Sequence, residues 1–412
     1  MTTNPSSHCY ARKIAACLAF GGLLMTLQAP ENAAAQEWRL EPEVRLGVEY
    51  DDNARLRSDE TEQVEIEGFI VEGSAGIAYL TPRTTFRVIP RARSRVYDEA
   101  IDVDSNDQFL EVDWTHETLK GRFSINSDYS REAARTAERA DADVDEDDPE
   151  EIPTDNTGIV FSNERRDRLR ISPQWRQELT ERLYLDTRYV YTDTSYDEDA
   201  FGPLRDYTDH RITAGLGNQF SERTRGYVSG TARRFDSDRG NDVDGVGVSA
   251  GVETDLSQTT RFQIEAGVEN TDRSEGGSDS NVVGNVSVLR RLETVRLLAQ
   301  YRRNISAGGA GRVTARDSLA LSANKQFSER MSAGLGIRAY QTDGLGDEAV
   351  TFQERDYAEL HAEFSYALTR TMLVEADYRH ARLDRTGMEG RADGNSIILW
   401  LVYRPTPIVT SR

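Results

Sequence analysis

Arginine side chains recur at every second position in several short segments of this chain. Between Arg87 and Arg95 they alternate with apolar residues, and the next segment carries Glu111 and Asp113 in the same alternation. A period of two places such side chains together on one face of a β-strand. The residues assigned in this way to one shared polar face are Arg87, Arg91, Arg93, Arg95, Glu111, Asp113, Arg168, Arg170, Arg176, Arg188, Arg296 and Arg302.

Charged side chains of this kind can act in two ways if they face a water-filled interior. Arginines opposite carboxylates would create a transverse field that orients hydrated or anionic solutes at a constriction. Alternatively, ladders of arginine and carboxylate would fill the interior and brace neighbouring strands against each other. The two interpretations are compatible, and the sequence leaves both open.

The largest insertion between alternating segments, residues 130–166, contains a dense acidic run. Asp141, Asp143 and Asp145 have the spacing of the first half of a calcium-binding loop. The match fails, because Glu146 replaces the glycine of the sixth position and the twelfth position lacks a carboxylate. Loose binding of divalent cations is the alternative, but the favoured interpretation is a solvated acidic loop with no resident metal.

Catalytic motifs are not found in the sequence. The histidines that follow the N-terminal region are His116, His210, His361 and His380, and they lie in four separate segments. No Ser–His–carboxylate motif, zinc-binding HExxH spacing or glycine-rich nucleotide loop accompanies them. We therefore expect no enzyme and no cofactor, with a hydrolase assembled from distant strands as the less favoured alternative.

A short turn motif recurs between the alternating segments and defines the architecture that positions the arginines. It reads Leu179–Leu183 in one copy, Ser221–Arg225 in another and Leu368–Met372 near the end. Longer acidic stretches separate one pair of segments from the next. The first segment, Trp38 to Tyr50, sets apolar residues against charged ones and has an aromatic residue at each end. Short turns, long loops and aromatic ends are typical of an outer-membrane β-barrel.

The predicted fold class is therefore all-β, a transmembrane antiparallel up-and-down barrel. About eighteen strands are expected, with sixteen possible, joined by short periplasmic turns and long extracellular loops. A soluble β-sandwich or solenoid is the alternative. A sandwich of this size would need strands with two buried faces or a second layer, whereas each segment here has only one apolar face.

The two ends of the chain and the cysteines indicate export. Residues 1–35 are predicted to be a cleaved signal peptide, with a basic start, an apolar stretch and Ala33–Ala35 at the cleavage site. Residues 36–404 form the barrel and 405–412 a short tail, in which Pro405 and Pro407 predict no further regular strand. Cys9 and Cys17 both lie within the signal, so no disulfide or thiolate chemistry is expected in the mature protein.

The net charge of −21 argues against nucleic-acid binding, which depends on neutralising phosphates. The apolar face of each strand makes outer-membrane lipid the expected partner, and the barrel assembly machinery is a second one. The final strand ends at Tyr403, and the residues after it extend beyond the aromatic residue with which barrel chains commonly finish.

The segment Glu49–Asn53 that ends the first strand resembles the β-barrel porin 2 family. The Leu179–Leu183 turn and the preceding Arg170–Trp175 are similar to that family as well. The resemblance covers the whole mature chain and implies a location in the outer membrane and an association with exopolysaccharide production and export. It supplies no catalytic residues, and a structural turn is the expected role of Asp51, Asp52 and Asn53.

The expected function is passive passage of exopolysaccharide or small polar solutes across the outer membrane. The alternative is a non-conducting structural or assembly component of a surface-polysaccharide system, with a plugged interior. The sequence does not decide between an open and a plugged barrel.

Overall fold

The alternating segments form long strands that close on themselves. The computed structural model describes residues 36–58, 63–98, 104–139, 164–197, 204–238, 242–274, 276–308, 311–344, 355–385 and 390–411. Within these residues the strands are β1 Glu37–Asp51, β2 Ile66–Leu80, β3 Thr84–Tyr97, β4 Ser105–Glu117, β5 Gly121–Ala133, β6 Arg165–Glu178, β7 Leu183–Tyr196, β8 Tyr207–Gln219, β9 Thr224–Ser237, β10 Val243–Ser257, β11 Thr260–Arg273, β12 Ser278–Arg291, β13 Val295–Gly308, β14 Arg312–Ser328, β15 Met331–Gly344, β16 Arg355–Ala367, β17 Met372–Arg385, β18 Ala392–Tyr403 and β19 Ile408–Ser411. One short helix, α1 Ala134–Ala137, follows β5.

Antiparallel pairing runs from each strand to its neighbour in sequence, from β1 to β18. β1 also pairs with β18, from Val44 opposite Tyr403 to Asp51 opposite Ser396, so the sheet is a closed barrel. The predicted all-β, antiparallel, eighteen-strand barrel is confirmed. Closure satisfies the backbone hydrogen bonds of every wall strand, which a sheet in lipid requires.

The outer face of the barrel is an apolar belt. On β1, the side chains of Val44, Leu46 and Val48 are 44–49% exposed on the outer face, whereas Arg45 and Glu49 in the alternate positions point inward. The same alternation around the wall leaves a band of valine, leucine and isoleucine exposed. Such a surface is stable in lipid and costly in water, so the wall spans a membrane. Within the described residues, no helix is long and apolar enough to cross a membrane.

The recurring turn motif has a physical basis in its hydroxyl group. The Thr180 Oγ1 atom accepts a hydrogen bond from the Leu183 amide at 3.0 Å. Ser221 Oγ does the same for the Thr224 amide at 3.1 Å. A serine or threonine at this position therefore replaces a backbone partner and fixes a tight strand-to-strand turn.

The C-terminal tail differs from the prediction. Pro405 and Pro407 interrupt the pairing after β18, as residues without an amide hydrogen should. Beyond them β19 resumes the ladder along β1, from Leu40 opposite Ile408 to Glu37 opposite Ser411. The prolines thus interrupt the pairing with β1 for only a few residues. The pairing resumes because the part of β1 that precedes Val44 still offers backbone partners on this side.

The Asp51–Asn53 segment joins the two ends of the barrel wall at the extracellular side. Asp52 accepts hydrogen bonds from the Asn395 amide at 2.6 Å and from Asn395 Nδ2 at 2.7 Å. Asp51 accepts the Asn53 amide at 2.9 Å, and the Asn53 side chain donates to the Asp393 carbonyl at 2.9 Å. This turn therefore links β1 to β18 in addition to shaping the chain.

We expect Asp52→Ala to lower the free energy of unfolding by about 2 kcal/mol. The substitution removes two charge-assisted hydrogen bonds at the seam, the place where β1 meets β18. The measurement is the urea midpoint of the purified barrel, followed by the shift in gel mobility between folded and unfolded forms. Asp98→Ala, which removes an exposed carboxylate at the end of β3, serves as the control. An unchanged urea midpoint for Asp52→Ala would show that Asp52 does not stabilise the seam between β1 and β18.

Candidate functional site in the barrel lumen

The hairpin formed by the ends of β13 and β14 leaves the wall and leans into the lumen. The pairing of β12 with β13 stops at Gly284 opposite Arg303, although β13 continues to Gly308. Beyond that point Ile305 is only 1% exposed and packs in one cluster with Phe235 of β9 and Val243 of β10. The face of the hairpin that continues the lipid side of the wall is therefore covered by the inner surface of β8–β10.

Val313 shows the consequence for side-chain burial. The alternation of β14 predicts it on the lipid face together with Leu319 and Leu321. In the structure Val313 is buried in the cluster with Ile305 and Phe235, whereas Leu319 and Leu321 are exposed. The lipid-facing position that the alternation predicts for Val313 is therefore wrong. This end of β14 moves from the wall into the lumen, while its alternation of apolar and polar residues continues.

Two lumen arginines hold the hairpin in place. Arg211 Nη2 and Arg233 Nη1 each donate to the Ile305 carbonyl oxygen at 3.0 Å. Arg233 also binds Asp209 through its Nε atom at 2.6 Å. The Ile305 carbonyl has no strand partner from β12, so these guanidinium groups supply the hydrogen bonds that the wall no longer provides.

A cavity of about 580 Å³ lies in the lumen beside this hairpin, between β6 and β13. Arginines outnumber carboxylates in its lining. The arginines whose side chains face it are Arg168, Arg170, Arg176, Arg188, Arg211, Arg225, Arg233 and Arg302, and the carboxylates are Asp186, Asp209, Glu253, Glu265 and Glu269. Arg303 also borders the cavity, but its guanidinium group binds Asp317 on the outer face. Arg225 lies 2.6 Å from Glu253, and Arg176 lies 3.2 Å from Asp186. The excess of guanidinium groups makes the surface of the cavity positive overall.

The structure brings part of the predicted arginine set together in this cavity. Arg168, Arg170 and Arg176 of β6, Arg188 of β7 and Arg302 of β13 belong to its lining. Arg296 lies near the start of β13, opposite Arg291 and close to the short turn, and is not part of the lining.

The predicted residues of β3 and β4 form a separate, paired ladder outside the lining of this cavity. Arg93 Nε lies 2.6 Å from Glu72, and the Arg91 guanidinium stacks over the ring of Phe109 at 4.0 Å. Glu111 and Asp113 face the same interior: Glu111 lies 4.0 Å from Arg91, and Asp113 is opposite Arg87 in the strand register. This half of the set fits the bracing interpretation.

Arg95 is the most deeply buried member of the ladder. Its Nη1 atom donates to Asp107 Oδ2 at 2.8 Å and to Thr136 Oγ1 at 3.2 Å. The Asp107 side chain is completely buried, and Glu49 lies 3.8 Å from Arg95 Nε. Arg95 thus connects β3 and β4 with α1, which lies inside the barrel.

The chain around α1 is fixed by further buried contacts. The Glu138 carboxylate accepts hydrogen bonds from Tyr196 at 2.7 Å and Arg166 at 3.2 Å. Arg139 lies 3.3 Å from Asp51 of the first turn. Burial alone would lower the pKa of the Arg139 guanidinium, but the Asp51 carboxylate and other acidic groups outweigh it, so the pKa is raised. The loops after β1 and β5 therefore share the extracellular mouth of the lumen with the hairpin.

Several lining residues were not singled out from the sequence. Arg211, Arg225 and Arg233 obey the same alternation as the predicted arginines, so the signal was present. The residue that they hold, Ile305, gave no signal, because a backbone carbonyl has no sequence signature.

The remaining candidates do not assemble into a site among the described residues. Asp141, Asp143 and Asp145 lie outside the described residues. In the part of the chain that the structure describes, no group of three or more potential ligands could hold a metal. His116, His210, His361 and His380 lie on four different strands: His116 contacts Thr84, His210 contacts Tyr189, His361 approaches Asp377 and His380 contacts Asn395.

A closed eighteen-strand antiparallel wall with an apolar belt and a charged interior defines an outer-membrane-type β-barrel. Comparison with solved structures finds OpdQ of Pseudomonas aeruginosa, at 11% identity and TM-score 0.47, covering 90% of this chain and 98% of that chain. OccAB4 of Acinetobacter baumannii has 10% identity, TM-score 0.44, and coverage of 92% and 100%. A BenF-like porin from Pseudomonas fluorescens Pf-5 has 9% identity, TM-score 0.48, and coverage of 89% and 98%.

Similarities at these TM-scores carry no argument about function. No family model matches the sequence, and no curated protein matches it. The resemblance to the β-barrel porin 2 family therefore stays a prediction.

Proposed function

We propose that this barrel is a porin-like passive channel for small polar solutes, with a preference for anions. The observation that supports the proposal is the cavity of about 580 Å³, in whose lining arginines outnumber carboxylates. Charged groups on the inside of a membrane barrel are stable when water reaches them. A positive, wet surface raises the local concentration of anions and speeds their entry.

The size of the cavity favours small solutes over a polymer. Small-molecule sites typically measure about 300–1,000 Å³, a range that includes this cavity. The hairpin, α1 and the first turn all lean into the extracellular mouth, where an exported polysaccharide would have to leave. Passage of exopolysaccharide is implied only by the family resemblance and stays a prediction.

A plugged barrel is the second candidate, and one cluster favours it. Leu56 of the first turn packs with Tyr340 of β15, Tyr357 of β16 and Leu383 of β17 inside the lumen. Apolar packing of this kind between a loop and the inner face of the wall is typical of an interior that is filled. In that case the charged residues would serve only to brace the barrel.

Single-channel recording in planar bilayers separates the two candidates. An open channel gives discrete conductance steps, and the reversal potential in a salt gradient reports anion preference. The absence of steps from protein whose gel mobility shows the folded barrel would overturn the channel proposal and leave the structural role.

We expect Arg188→Glu to lower the anion-to-cation permeability ratio by about twofold or more at low salt, because it reverses one charge in the cavity lining. Arg188 donates a hydrogen bond from its Nε atom to the neutral Ser172 hydroxyl at 3.0 Å. Arg234→Glu makes the same charge change on the outer face, where Arg234 is 65% exposed, and should leave the ratio unchanged. Equal shifts in both variants would contradict a local role for the lining.

A further inference from the structure

A depression lies on the outer face of the barrel, next to the strands that carry the hairpin. Its volume is about 430 Å³, and it extends from Tyr301 of β13 to Arg382 of β17. In the strand register one row of outward side chains crosses this region. The row is Tyr301, Leu319, Ala339, Ala358 and Arg382. The row has large side chains at both ends and alanines in the middle, which gives a groove with an apolar floor.

A polar row lies directly on the extracellular side of this floor. Its members, again neighbours in the register, are Arg303, Asp317, Gln341, Asp356 and Asp384. Asp317 accepts hydrogen bonds from Tyr301 and Arg303, each at 2.5 Å. The change from apolar to polar side chains between one row and the next marks the level at which acyl chains give way to lipid headgroups.

Two arginines at the extracellular edge of the depression, here called the rim, lie at long distances from the nearest carboxylates. Arg382 Nε lies 3.7 Å from Asp393, and Arg391 Nε lies 3.9 Å from Asp384. Both distances exceed hydrogen-bond range, and the two side chains are 46% and 49% exposed. Both guanidinium groups can therefore turn toward an anionic oxygen at the rim without breaking a close ion pair.

We propose that this depression binds one phosphorylated glycolipid of the outer leaflet. The apolar floor is continuous with the lipid-facing belt through Leu319, so an acyl chain fills it. Asp356, Asp384 and Gln341 can accept hydrogen bonds from sugar hydroxyl groups, and Arg382 and Arg391 pair with phosphate. A headgroup with both hydroxyls and phosphates matches a rim with both carboxylates and guanidinium groups. The site is independent of solute passage through the lumen.

The test uses the purified full-length barrel in detergent, titrated with diphosphorylated lipid A and, separately, with phosphatidylglycerol. Native mass spectrometry counts the lipid molecules that stay bound. We expect one tightly bound lipid A, and about tenfold weaker binding in the Arg382→Gln/Arg391→Gln variant. Arg234→Gln, on the outer face of β9 and away from the depression, should bind like the unaltered protein.

A second variant tests the floor without changing any charge. Ala339→Leu/Ala358→Leu fills the groove from within and should weaken lipid A binding to a similar extent. Equal retention of lipid A by all variants would overturn the proposal. Equal affinity for phosphatidylglycerol and lipid A would also overturn it, since a headgroup without sugars would then satisfy the rim.

Discussion

Replacing residues 304–315 with a short glycine–serine turn should raise the single-channel conductance several-fold. The described residues of this hairpin end lie in the lumen instead of the wall, and Ile305 packs on Phe235 across the space that ions would use. Its removal widens the mouth and also frees Arg211 and Arg233, which now bind the Ile305 carbonyl. More cross-section and more accessible positive charge act in the same direction, so anion selectivity should also increase.

The matched control removes Gly276 and Gly277 from the neighbouring turn between β11 and β12. That turn contributes no residue to the cavity lining, so conductance should not change. Because a deletion can disturb folding, Arg211→Gln/Arg233→Gln offers a milder test that only loosens the hairpin. It should increase current fluctuations. Unaltered conductance in both the replacement and the double variant would mean that the hairpin does not restrict the pathway.

Arg95→Met should lower the free energy of unfolding by about 3 kcal/mol or more, the largest effect expected of a single substitution in the ladder. The substitution removes the 2.8 Å contact to Asp107, whose side chain is completely buried. The buried carboxylate then loses its closest cation, and the contact to Thr136 at the end of α1 is also lost. Urea unfolding followed by gel mobility measures the change.

Arg87→Met is the natural control, because it makes the same change on the same face of the same strand. Arg87 is 47% exposed and lies 3.6 Å from Glu41, so its loss should cost less than about 1 kcal/mol. Adding Asp107→Asn to Arg95→Met should recover part of the stability by removing a buried charge whose remaining cation, Arg165, lies 3.6 Å away. Similar losses in the Arg95 and Arg87 variants would show that burial does not govern the strength of these pairs.

The wall of the barrel was predictable from the sequence because its two determinants are local. Alternation places Arg45 and Val44 on opposite faces wherever a strand stays in the wall. The hydroxyl of Thr180 closes its turn within four residues. The first strand, expected from Trp38 to Tyr50, spans Glu37–Asp51 in the structure.

The interior was less predictable because the pattern does not say what covers an apolar side chain. Val313 and Leu319 share one register on β14, yet one is covered by protein and the other faces lipid. That difference depends on a backbone that leaves its neighbour after Arg303, and on a carbonyl group that side chains from β8 and β9 must reach. Both are long-range features. The β19 strand escaped prediction for the same reason, since its partner lies at the other end of the chain.

The seam between β1 and β18–β19 also orders the events of folding. Glu43 and Arg404, which meet there, are separated by 361 residues. Every other wall pairing joins sequence neighbours and can form as soon as a hairpin is complete, whereas this one closes a loop that includes almost the whole protein. The edge of β1 that faces β18 and β19 therefore stays without a backbone partner until those two strands can pair with it. The nascent barrel is an open sheet for nearly all of its assembly, and its first strand is the one most exposed to joining the wrong partner.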